Sequence, residues 1–418
     1  MSSIQNQSSS DVTFFARTNF RNNPTIFGIK RADRRAHLYL IGKTGTGKST
    51  LLEALMLDDL RKGKGFALLD PHGDLVKKIK SQIPDNRSDD LIDFDIPDSN
   101  QPYGFNPLAN VAAHKRPLAA SGLIQVFKHL WNDSWGPRLE HILRNCLLTL
   151  LDYPNANLSD ILRLLSDKDF RKVVVPFITN DQIKEFWIKE YDKYPERLRA
   201  EAISPIQNKV GAFLSHPLLK NILTNPEKSL SLRRIMDESK ILLVNLAKGS
   251  IGEDTANLLG SLLISRFDLA ALSRADIPEN ERHDYTLYLD EFHNFTTQSL
   301  VLMLSELRKY RLSLVLAHQY LTQLEPSIKD AILGNVGTLI VFRIGANDAE
   351  ILAQEFAPEF SVTDFTNLPN YHIYLKMMIN GVVSRPFSAS TLPPAFVPET
   401  VSSEENTAHS DSSTVQSS

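Results

Sequence analysis

Short apolar runs alternate along this chain with longer stretches whose apolar residues return every three or four positions. The runs at 37–41, 65–70, 91–96, 241–246, 285–291, 312–317 and 338–344 have the length and composition of buried strands. A further pair, 371–379 and 382–388, closes the series, and one strand-like run, 25–29, stands near its start. Between the first two runs Leu51, Leu52, Leu55, Met56 and Leu60 recur at helical spacing, with Gly63 as a stop. Ser250 and Glu253 have capping-box spacing ahead of an apolar helix that reaches Leu272. Strands alternating with helices predict an α/β fold with a mostly parallel, doubly wound sheet.

The pattern changes at about residue 110 and returns at about 237. The stretch 110–236 shows helical stripes, a candidate N-cap at Ser159 and all three tryptophans, Trp131, Trp135 and Trp187. It reads as an all-helical subdomain inserted into an α/β domain made of 14–109 and 237–392. The polar ends, 1–13 and 393–418, read as disordered.

Between the run at 37–41 and its helix lies Gly42-Lys43-Thr44-Gly45-Thr46-Gly47-Lys48-Ser49, followed by Thr50. Strand, glycine-rich loop and helix start are the context that a phosphate-binding loop needs. Backbone N–H groups of such a loop wrap phosphate oxygens, and the helix N-terminus adds partial positive charge. Lys48 is placed to reach the β- and γ-phosphates and Ser49 to ligate Mg²⁺, so the chain binds a nucleoside triphosphate.

Composition narrows the setting. Forty-six basic against 49 acidic residues give a net charge of −3, so any nucleic-acid surface must be local. The one cysteine, Cys146, lies in a helical apolar stripe; it excludes a disulfide framework or a cysteine zinc site and fits a reducing cytoplasm. No signal peptide is visible, and no uninterrupted apolar stretch approaches the eighteen residues of a membrane span. Lys30, Arg31, Arg34 and Arg35 form a basic cluster that either approaches nucleotide or DNA or is a solvated turn.

The remaining chemistry gathers at strand ends. Asp290 and Glu291 close the run that begins at Tyr285. A carboxylate there can hold Mg²⁺ through its water shell, and its neighbour can orient and deprotonate an attacking water. Phosphoryl transfer also needs a γ-phosphate sensor, a role that suits Gln319, and a mobile cation, for which Arg308 and Arg343 both qualify. Asp70, His72 and Asp74 form either a metal site or a fixed polar turn near the nucleotide.

Taken together, Gly42 to Ser49, Asp70-Pro71-His72-Gly73-Asp74, Asp290-Glu291, Arg308-Lys309-Tyr310 and Ala317-His318-Gln319 resemble the HerA–FtsK superfamily of ring-shaped motors. Within it the chain is most similar to the cytoplasmic ATPases of conjugative transfer, the type IV secretion coupling proteins, and to their soluble HerA-like relatives. The likeness spans about 14–392. It implies a RecA-like fold, ATP and Mg²⁺ as ligands, a homo-hexamer, and DNA threaded without sequence preference through a central channel. It further implies that Asp290 and Glu291 are the Walker B pair, Gln319 the sensor, and Arg308 a finger reaching the neighbouring subunit. The chain departs from coupling proteins at His318, where they more often carry a small hydroxyl residue, and in showing no membrane-spanning N-terminal helices. Two activities are compatible with this set: an ATP-driven DNA translocase, or an ATPase that scaffolds a partner nuclease or defence complex.

Overall fold

The computed structural model describes residues 11–19, 24–132, 135–224 and 229–397. The strands, in chain order, are β1 (Val12–Thr18), β2 (Ile26–Lys30), β3 (Leu38–Ile41), β4 (Gly65–Asp70), β5 (Leu91–Asp95), β6 (Ile241–Asn245) and β7 (Tyr285–Leu289). They continue with β8 (Leu312–His318), β9 (Thr338–Val341), β10 (His372–Lys376), β11 (Met378–Ile379), β12 (Val382–Val383) and β13 (Phe387–Thr391). Eleven of them form one sheet in the order β2-β1-β13-β10-β9-β3-β8-β7-β4-β6-β5. The block from β9 to β5 is parallel throughout, and the four strands beyond β9 are antiparallel.

The parallel strands are apolar because both of their faces are covered. Leu38 and Leu40 of β3 join Phe66 and Leu68 of β4 in a core beneath the helices Lys48–Arg61 and Asp74–Lys80. Tyr39, Ile41, Ala67 and Leu69 face the other way, as the two-residue period of a strand requires. On that side the core runs without a break into the helices between β5 and β6. Trp131 stacks on Phe127 with ring centroids 4.6 Å apart, and the Trp187 indole N–H donates to the Thr149 hydroxyl at 2.8 Å. The helix Glu253–Ser273 lies between these helices and the sheet, which explains why it is buried on most of its circumference. Among the described residues no helix is long and apolar enough to cross a membrane.

Several local expectations are corrected. β1 begins at Val12, inside the stretch expected to be unstructured. Its Thr13 hydroxyl donates to Asp58 at 2.8 Å, and Lys62 donates to the Val12 carbonyl at 2.7 Å. At the other end Pro393–Val397 is held to the fold by an Arg61 bond to the Phe396 carbonyl at 3.0 Å; the rest of both expected disordered ends lies outside the described residues. The closing pair of strands breaks into four, because Asn380 and Gly381 turn at positive φ and make a separate β11–β12 hairpin. The Ser250 capping box does not form. Ser250 sits inside a short helix, Lys248–Ile251, and Gly252 at φ +83° starts the long helix instead. Ser159 holds the N-cap position without a capping bond, since its hydroxyl is bonded to Asn157 at 2.5 Å.

The basic cluster is not a solvated turn, because its three arginines are held in ion pairs. It precedes β3, at the end of the sheet opposite the phosphate loop. Arg31 and Arg35 both pair with Asp284 at 2.7 Å. Arg34 is buried, bonded to both Asp59 oxygens at 2.7 and 2.9 Å and to the Tyr288 hydroxyl at 2.7 Å. Removing one partner of a buried ion pair typically costs about 3–5 kcal/mol. Arg34→Ala is therefore expected to lower unfolding stability by about that much in urea titrations, whereas Arg35→Ala, at a half-exposed pair, should cost about 1 kcal/mol or less. Equal losses would remove Arg34 as the anchor of this end.

Candidate nucleotide site

The phosphate loop leaves the C-terminal end of β3, which lies between β8 and β9, so neighbours from distant parts of the chain converge on it. Ligands of open parallel sheets bind at such strand ends. The glycines are needed for space and for handedness. Gly47 has φ +119°, and a Cβ there would stand 2.9 Å from the Tyr371 ring; at Gly42 it would stand 2.5 Å from Phe342. The backbone is braced by Lys43 N–H donating to the Arg343 carbonyl and Tyr371 N–H donating to the Thr46 carbonyl, each at 2.8 Å. The Thr46 hydroxyl donates to the Lys43 carbonyl at 2.7 Å. Lys43, Thr44, Gly45 and Ser49 are exposed, and Thr50 is half-buried in the first turn of the helix.

The Lys48 ammonium is buried and donates to the carbonyls of Gly42 at 2.5 Å and Lys43 at 3.2 Å. Burial lowers its pKa, against the pull of Glu291 and Asp290. Asp290 follows β7, its N–H bonded to the Leu69 carbonyl of β4 at 3.2 Å. Burial pushes its pKa up to about 7, helped by the charges of Asp70 and Glu291 and opposed by Lys48. The Lys48 charge only partly offsets this crowding of buried carboxylates. Together with the Ser49 hydroxyl, Asp290 offers the hard oxygen donors that suit Mg²⁺ bound mainly by water and phosphate. Among the described residues no cluster of three or more His, Cys, Asp and Glu residues is suited to holding a metal ion.

Glu291 adopts φ +43°, ψ +48°, a left-handed conformation that costs a non-glycine residue about 1–2 kcal/mol. Asn294 holds it there by donating to its carbonyl at 2.6 Å. The carboxylate is buried. Oε1 accepts from the Gln319 amide at 2.8 Å, while Oε2 has no hydrogen-bond partner. Gln319 in turn accepts from the Thr44 hydroxyl at 2.9 Å, so one chain of bonds links phosphate loop, sensor and general base. Strain and an unsatisfied buried oxygen at one residue mark a functional position.

Asp70 belongs to a fixed turn. Its oxygens accept from the N–H groups of His72, Leu75 and Val76 at 2.8, 2.9 and 3.1 Å, which satisfies the start of the next helix. His318 is fully buried beside Tyr39 and Phe292, with its pKa pushed down to about 3 by burial, so it is a neutral core residue.

The two arginines separate. Arg343 stays near the loop, but its guanidinium is bonded to the Leu368 carbonyl at 3.2 Å and to Asn370 at 2.9 Å. Arg308 is exposed, in the turn Leu307–Tyr310 that precedes β8. Gln319 lies just beyond the other end of that seven-residue strand. At a rise of about 3.3 Å per residue, roughly 20 Å or more separates Arg308 from its own site. The fold thus brings together Lys48, Ser49, Asp290, Glu291 and Gln319 and leaves Arg308 outside.

Two neighbours escape sequence reading. His293 Nδ1 lies 3.5 Å from Glu291 Oε2, and Tyr371 packs against the loop at Gly47. His293 follows Glu291 closely enough to have raised suspicion; nothing in the sequence points from residue 371 to residue 47.

A family model for the type IV secretion-system coupling protein DNA-binding domain matches residues 23–360. No curated protein gives a match. Among solved structures, the fold is similar to that of the unbound bacterial conjugative coupling protein TrwBdeltaN70, at 16% identity over 88% of this chain and 87% of that one, with a TM-score of 0.63. The plasmid coupling protein TrwB in complex with ADP and Mg²⁺ is similar at 17% identity, over 89% of this chain and 88% of that one, with a TM-score of 0.63. VirB4 of Thermoanaerobacter pseudethanolicus is similar at 13% identity, over 94% of this chain and 99% of that one, with a TM-score of 0.62. At these identities the likeness is one of fold.

Proposed function

Since the chain belongs to the family of the type IV secretion-system coupling protein DNA-binding domain, we propose that it is a Mg²⁺-dependent ATPase that drives DNA through a homo-hexameric ring in the cytoplasm. The observation that carries this reading is the Thr44–Gln319–Glu291 chain of hydrogen bonds beside the buried Lys48 and Asp290. It supports the assignment of Glu291 as general base and Gln319 as sensor of the γ-phosphate, because it ties both to the phosphate loop. In this reading Ser49 and Asp290 hold Mg²⁺, which when bound neutralises charge on the β- and γ-phosphates. Lys48 swings from the Gly42 carbonyl to the phosphates, Glu291 takes the proton of the attacking water, and Gln319 orients that water. Arg308 stands too far from these groups to serve them, so its partner is the site of the next subunit.

DNA-stimulated ATP turnover tests the motor, and salt tests the grip. A ring that holds phosphates through lysines and arginines binds DNA irrespective of sequence and releases it as salt rises. With as few as two phosphate contacts, affinity should fall about tenfold between 50 and 200 mM salt. The net charge of −3 rules out a diffuse basic surface as the source of such a slope. Affinity that is flat over this range, or absent with a non-hydrolysable ATP analogue bound, would sink the translocase reading.

A further inference from the structure

Both chain segments that connect the sheet to its helical insertion run past one cavity of about 250 Å³. The incoming segment lines it through Ala109 and Lys115, the outgoing one through Ser231 and Arg233, and the helix Glu253–Ser273 closes it with Arg266. The volume is below the roughly 300–1,000 Å³ typical of sites for drug-sized ligands, so the occupant is small.

Its chemistry is set by cations, of which Arg266 has no counter-charge. Arg266 Nη2 donates to the Ala109 carbonyl at 2.9 Å, but Nη1 has neither a hydrogen-bond partner nor solvent contact. Burial alone pushes its pKa down to about 10; no carboxylate contributes. On the facing segment burial lowers the Lys115 pKa, outweighing the pull of Asp276 and Asp268. Arg233, the third cation, is saturated by Asp237 and by Asp276, which removes the one carboxylate on the rim from competition. Arg266 is partly buried at the cavity wall with no anion beside it, and a ligand that brings negative charge supplies the missing partner.

We propose that this cavity binds a phosphate-class anion through Arg266 and Lys115, and that the bound anion fastens the insertion to the ATPase core. The phosphate comes either from a free small molecule or from the backbone of a DNA strand. The site is independent of the nucleotide loop.

The test uses the full chain with its loop saturated by a non-hydrolysable ATP analogue and Mg²⁺. Inorganic phosphate and, separately, a short single-stranded oligodeoxynucleotide are titrated by calorimetry into wild type, Arg266→Met and Lys115→Met. Each substitution should weaken phosphate binding about tenfold or more, the usual scale for a charge-assisted hydrogen bond. Phosphate should also slow proteolysis of the exposed 112–114 segment in wild type and not in Arg266→Met. If only the oligonucleotide binds in an Arg266- and Lys115-dependent way, the proposal holds with DNA as the source. Binding of both ligands that is absent, or equal in all three proteins, overturns it. Should Arg266→Met fail to fold, as circular dichroism would show, Lys115→Met decides alone. A chain that lacks ATPase activity yet shows this binding would sink the motor reading and leave the anion site standing.

Discussion

Glu291→Gln should bind ATP as tightly as the unaltered chain and turn it over about 10²–10⁴-fold more slowly, the usual loss when general-base help is removed. The expectation rests on what the carboxylate touches. Its Oε1 accepts from Gln319, which alone connects it to the loop, and its Oε2 is left over. Glutamine keeps the shape, and its carbonyl still accepts from Gln319, so the strained turn at φ +43° and the chain back to Thr44 persist. Only the ability to take a proton is lost. Single-turnover hydrolysis, paired with equilibrium binding of a fluorescent ATP analogue, separates the two effects. Hydrolysis near the wild-type rate would remove Glu291 from the mechanism. Lost binding would assign it to the nucleotide or its metal instead.

Where the sequence was legible, burial explains why. β3, β4, β6, β7 and β8 are buried along their whole length, and such strands leave continuous apolar runs that announce themselves. The edge strand β2 still left a short run at 25–29, whereas β1, between β2 and β13, has a mixed burial that leaves no clean period to read. The phosphate loop was legible because its chemistry is local: seven consecutive peptide units and one lysine. The Thr44–Gln319–Glu291 link is not local, and its three members are separated by 275 and 28 positions. Each residue was a candidate on its own account. That they touch follows only from the order β3-β8-β7 in the sheet, which no residue spacing records. The basic cluster failed for a related reason. A run of arginines reads as a surface until Asp59 and Asp284 arrive from elsewhere in the chain to pair with it.

The same limit left Arg308 and Arg343 level, and the fold separates them. With Arg343 bonded to Leu368 and Asn370, and Arg308 exposed at the far end of β8, only a shared active site gives Arg308 a catalytic role. Lys48→Ala disables the site of its own subunit but leaves that subunit's Arg308 free for a neighbour; Arg308→Ala does the reverse. Each variant alone should be nearly inactive, because a finger contributes about 10³–10⁵ in rate. Mixed one to one, randomly assembled rings pair an intact Lys48 with an intact Arg308 at about a quarter of their head-to-tail interfaces. ATPase activity should therefore return to roughly that fraction of wild type, with sizing and subunit labelling used to confirm that mixed rings have formed. No recovery in confirmed mixed rings would mean that Arg308 does not act across the interface. Arg343→Ala is the comparison, since its backbone braces the loop at Lys43 within one subunit. Recovery when Lys48→Ala is mixed with Arg343→Ala, and none with Arg308→Ala, would reverse the assignment and make Arg343 the residue that reaches across.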